Sequence, residues 1–117
     1  MSNYPSQFDL KAIKEWDCTT NKGLMSLAEF VVGEWHLGES WGRLSGRIKD
    51  RNKAGTREGE YYRKLTLSTG GWSGNEDLIG ALMENWLWCS MCFYSHHKGG
   101  HFVFRIYENR IIENNKK

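Results

Sequence analysis

The chain has 117 residues, enough for one domain and one core (residues 1–117) and too short for a second. A formal net charge of +2 lacks the basic excess of a protein that coats DNA, and no apolar run approaches membrane-spanning length. Six Trp, five Tyr and five Phe supply core area and, equally, flat surfaces on which a ligand ring can stack.

The charge is unevenly placed. Arg43, Arg47, Lys49, Arg51, Lys53, Arg57, Arg63 and Lys64 lie in one segment with only Asp50, Glu58 and Glu60 among them, whereas residues 65–97 contain no Lys or Arg. That division predicts a basic surface suited to a polyanion or an acidic partner. Cys18, Cys89 and Cys92 are an odd number without framework spacing, which fits a reduced, intracellular protein, and no stretch reads as a signal peptide. Cys89 and Cys92 have CxxC spacing inside an apolar run read as a strand. There they would face opposite ways, which defeats joint metal ligation.

In chain order, residues 1–7 read as a frayed end. Leu10, Ile13 and Trp16 recur at threes, predicting a short amphipathic helix over residues 8–17, and the polar stretch 17–23 breaks it. Ser26 and Glu29 have capping-box spacing, and Leu24, Leu27, Ala28, Val31 and Trp35 share one helical face, with Gly38 as the stop. Residues 43–59 read as a basic exposed loop. Residues 60–68 alternate, with Tyr61, Arg63, Leu65 and Leu67 on one side and Tyr62, Lys64 and Thr66 on the other, so a strand with one buried face is expected. Residues 86–94 are apolar on both sides and predict a central strand covered on both faces. A second hairpin strand follows over residues 101–107, with Lys98, Gly99 and Gly100 in the turn, and residues 108–117 read as a frayed tail. The fold class expected is α+β: two N-terminal helices, then β-α-β-β with a three-stranded antiparallel sheet.

Between the first of these strands and the central helix lies Ser68-Thr69-Gly70-Gly71-Trp72-Ser73-Gly74-Asn75-Glu76. Ser73 and Glu76 have capping-box spacing, and Leu78, Ile79, Leu82 and Met83 follow on one helical face. Free N–H groups of Gly70, Gly71, Ser73, Gly74 and Asn75 at a helix start suit a phosphate, and Trp72 beside them suits a base. The same residues fit a well-capped strand-to-helix turn with Trp72 plugging the core better than they fit a phosphate cradle. The Lys and spacing of a Walker loop and the third glycine of a dinucleotide fingerprint are both missing. His96, His97 and His101 flank the hairpin turn, where imidazoles suit a transition metal, but Glu76 or Glu84 would have to complete the set from the helix. No cofactor and no catalytic residue is assigned.

The stretches STGGWSGNEDLIGAL and WCSMCFYSHHKGGHFVF resemble small proteins encoded by bacteriophages and integrated prophages, over residues 65–106. No catalytic or binding residue carries over from that resemblance. What it implies is a context, an accessory phage gene expressed in the cytoplasm of a bacterial host, and such proteins are often inhibitors of host defence. The leading expectation is a non-enzymatic, anti-CRISPR-like inhibitor that docks on a host defence protein or protein–nucleic-acid complex through Trp41, Arg43, Arg47, Lys49, Arg51, Lys53 and Arg57. The alternatives are a protein that sequesters a nucleotide signal with the glycine-rich loop and Trp72, and a metal-dependent hydrolase using the hairpin histidines. A homodimer through a strand edge stays open, and no membrane partner is expected.

Overall fold

A computed structural model describes residues 5–35, 41–49 and 61–108. The element order is α1 (Gln7–Lys14), α2 (Asn21–Glu34), β1 (Gly42–Lys49), β2 (Tyr61–Ser68), α3 (Ser73–Met83), α4 (Trp86–Cys92), β3 (Phe93–His97) and β4 (His101–Tyr107). The class is α+β, but the sheet has four antiparallel strands in the order β1-β2-β4-β3, not three.

Two differences account for the change. The first part of the expected basic loop, from Arg43 to Lys49, is strand β1, paired with β2 from Gly42↔Leu67 to Lys49↔Tyr61. Residues 50–59 of that loop lie outside the described residues. The expected central strand over residues 86–94 is instead helix α4 followed by the edge strand β3. A short apolar run fits either element, and here the residue before it decides. Asn85 caps α4, its side-chain oxygen accepting from the backbone N–H of Trp88 at 3.1 Å. With helical spacing, Trp88 and Cys92 enter the core while Trp86 is 73% exposed.

Helix starts also fall earlier than the spacing of Leu10, Ile13 and Trp16 and the two capping boxes predict. Ser6 caps α1 and Thr20 caps α2, each accepting from the N–H three residues on at 3.0 Å. Ser26 is therefore inside α2, where its hydroxyl donates to the Gly23 carbonyl. In α3 the cap position is Trp72, without a side-chain cap bond, and Ser73 is the first helical residue. The Gly38 stop lies outside the described residues; α2 ends at Glu34, with Trp35 as its cap.

The helices bury one face of the sheet. Leu65, Leu67, Phe102, Phe104 and Ile106 meet Ile13, Leu24, Leu27, Ala28, Val31, Leu78, Leu82 and Trp88 in a single core cluster. Trp35 closes its upper end, donating its indole N–H to the Ser68 carbonyl at 3.0 Å, and a side chain at Gly42 would strike that ring. No helix among the described residues is long and apolar enough to cross a membrane.

Candidate functional site

Alternation along β2 and β4 sends the remaining side chains to the other face of the sheet. None of Tyr62, Lys64, Thr66, Val103, Arg105 and Tyr107 belongs to the helical core cluster. The register sets Lys64 directly opposite Arg105, Thr66 opposite Val103 and also Arg43, and Ser68 opposite His101, which is itself opposite His97. The outer face thus carries cations on three neighbouring strands.

Arg43, Ser45, Lys64 and Thr66 line a shallow recess of about 230 Å³ on this face. Ser45 is held there by its own hydroxyl, which accepts from the Lys64 backbone N–H at 2.9 Å. Arg43 and Lys64 are exposed and have no acidic partner among the described residues. Lys64 opposite Arg105 is a like-charge cross-strand pair, an arrangement that costs stability unless something anionic is shared between them. The Ser45 hydroxyl proton is given to the Gly46 carbonyl at 2.8 Å, so the hollow offers two cations and the Thr66 hydroxyl, donors suited to a phosphate.

Arg105 is fixed in place beside the recess. Its guanidinium carbon lies 4.3 Å from the Tyr62 ring centre and 3.9 Å from that of Tyr94, and one guanidinium nitrogen donates to the Tyr107 hydroxyl at 3.1 Å. The rings hold the cation by cation–π attraction. Tyr62 and Tyr107 are buried, whereas Tyr94, at the sheet edge, is 55% exposed.

The residues expected to dock a partner divide. Arg43 stands on the recess. Arg47 is engaged elsewhere: it makes a two-pronged ion pair with Glu108, at 2.6 and 3.1 Å, and lies 4.1 Å over the Tyr61 ring. Lys49 is exposed at the end of β1, and Trp41 is 38% exposed at its start, its carbonyl accepting from the Ser68 N–H. Arg51, Lys53 and Arg57 lie outside the described residues. Arg105 and Tyr94 were not singled out from the sequence, whereas Lys64 closed the basic segment and alternation had already put it with Thr66 on the side away from Leu65 and Leu67.

The glycine-rich loop is a closely built turn. Gly70 and Gly71 have φ of 62° and 76°, the left-handed conformation expected of glycines there. Asn75 is fully buried, its amide donating to the Thr69 carbonyl at 3.3 Å. The half-buried Trp72 ring lies against Gly74, where an added side chain would collide with it. The turn is also tied to the hairpin: the Thr69 N–H donates to the Gly100 carbonyl at 3.0 Å. Gly70, Gly71 and Ser73 remain on the surface.

The three hairpin histidines each have a neighbour. His96 stacks on Phe102 at 4.0 Å, His97 pairs with the Ser95 hydroxyl at 3.0 Å, and His101 with the Ser68 hydroxyl at 2.6 Å. Among the described residues no group of three or more His, Cys, Asp or Glu side chains is placed to hold a metal. Cys89 and Cys92 sit on a helix and not on a strand, so the alternation argument against joint ligation no longer applies. Cys92 is buried, and the Cys89 thiol donates to the Met83 carbonyl at 3.2 Å. Burial pushes the Cys18 thiol up to about 11 and raises Cys89 as well, so none of these effects favours a reactive thiolate.

Comparison with known proteins finds no match: no protein-family model, curated protein or solved structure corresponds to the chain.

Proposed function

We propose that the chain is a binding protein whose outer sheet face docks on the phosphates of a nucleic acid. In the phage setting that its central stretch implies, the biological reading is inhibition of a bacterial defence system by seating on a protein–nucleic-acid effector, as anti-CRISPR proteins do. The observation that carries the docking reading is the recess with Arg43 and Lys64, neither with an acidic partner among the described residues, and Arg105 directly across from Lys64. A fold that gathers like charges on one surface gains when an anion enters between them.

The test is binding of a labelled single-stranded oligonucleotide, read by fluorescence anisotropy, to the wild type and to the Arg43→Ser/Lys64→Thr double variant. Both substitutions sit on an exposed or half-open strand face, so the fold should persist. Affinity should fall by about tenfold or more, since each charged hydrogen bond removed is worth about 1.5–3 kcal/mol. Unchanged affinity rejects the site. For the biological reading, expression of the wild type should raise the plating of a phage on a host with an active nucleic-acid-guided defence, and the double variant should not.

A further inference from the structure

The Arg105 stack specifies more than a charge. Tyr62, Arg105 and Tyr94 form a continuous ladder in which the guanidinium lies between two rings, at 4.3 and 3.9 Å from their centres. Its inner end is closed, because Tyr62 is buried and its ring meets Tyr107 at 5.2 Å. Its outer end is Tyr94, 55% exposed, on the edge strand β3. One face of that ring is taken by Arg105, and the exposed remainder is an aromatic plane already locked in orientation. From Lys64 on β2 to Tyr94 on β3 is two strand spacings, about 10 Å between backbones. The Tyr94 ring is drawn back toward β4 by its contact with Arg105, which brings it nearer the recess.

Resting on the docking reading above, we infer that Tyr94 is a base-stacking subsite and that the ligand is an unpaired nucleotide unit, phosphate in the Arg43–Lys64 recess and base on Tyr94. A base paired within a duplex has both its faces covered by neighbours and offers none to an edge-strand tyrosine. An unpaired base offers a full face, and such stacking is sequence-tolerant because every base has one. An acidic protein surface would use the cations and leave the ladder idle. Arg105 then acts as the layer that keeps Tyr94 flat.

The test compares four labelled probes by anisotropy or competition: a single-stranded homopolymer, its duplex, inorganic polyphosphate and a cyclic dinucleotide. The wild type should bind the single strand more tightly than the duplex or polyphosphate. Tyr94→Ala should weaken the single strand by about 5- to 100-fold and leave polyphosphate unchanged, and Tyr94→Phe should retain wild-type affinity because the ring and not the hydroxyl is used. Tighter binding of the cyclic dinucleotide than of the strand, also lost in Tyr94→Ala, would place the nucleotide unit in a free molecule. Equal binding of strand and polyphosphate, with Tyr94→Ala the same as wild type, overturns the stacking subsite and leaves phosphate docking standing. Failure of every probe to bind overturns both.

Discussion

Trp72 and Gly74 show how closely single residues are matched in the turn between β2 and α3. The indole rests where a side chain on Gly74 would be, so the two positions admit one large group between them. Gly74→Ala should displace the ring or the start of α3 at an overpacking cost of about 1–3 kcal/mol. A lowered melting temperature together with altered tryptophan emission would show this; unchanged values for both would mean that the ring has no fixed seat. Glycine spacing alone signalled the sharp turn, and Gly70 and Gly71 do adopt positive φ. It did not reveal that Trp72 is partly engaged by the turn itself, because contact between neighbours in a loop has no periodicity to read.

Among the elements, α4 shows where reading from pattern stops. The run from Trp86 onward is apolar on successive residues, and neither a period of two nor one of 3.6 stands out. What separates helix from strand is Asn85, which is buried and serves three partners: it caps Trp88 and donates to the carbonyls of Ile13 and Trp16 at 2.9 and 3.3 Å. It thereby ties the end of α1 to the start of α4. Replacing it with Ala removes a cap, worth about 1–2 kcal/mol, and strands buried carbonyls at about 1–3 kcal/mol more. Urea denaturation of Asn85→Ala should show a loss of at least about 2 kcal/mol with the same dependence on denaturant. The strands that alternate, β2 and β4, were legible almost to the residue, as was the hairpin turn at Gly99 and Gly100 with φ of 87° and 81°. Strand β1 was not, since its glycines and charges read as a loop and its partner register through the bulge between Leu44 and Arg47 is a tertiary fact.

For the molecule as a whole, charge is distributed by face, not by segment. Composition marked one segment as basic, and the structure divides it: Arg47 is paired with Glu108, while Arg105, far along the chain, joins Arg43 and Lys64 only through strand pairing. The helical layer carries the opposite problem. Glu34 ends α2, where the helix dipole disfavours a negative charge, and burial together with a hydrogen-bonded Asp9 raises its carboxyl above the ordinary value of 4.5. The folded state therefore holds this proton more tightly than the unfolded one. Stability from this group is fully present below the ordinary value and is lost as pH rises through the raised one. Glu34→Gln should flatten that part of the stability–pH curve and leave the protein more stable than wild type at neutral pH, as thermal melts across the range from acid to neutral would show. An identical curve for the variant would remove Glu34 from the account.

The central claim is that Arg43 and Lys64 hold phosphate on the outer face of the sheet. Its most direct measurement is the salt dependence of single-strand affinity for the wild type and the Arg43→Ser/Lys64→Thr variant. Each phosphate contact on a single strand contributes about −0.7 to the slope of log affinity against log salt. The account predicts a slope shallower by about 1.4 in the double variant, with weaker binding at low salt. Identical slopes and affinities for the two proteins would contradict it.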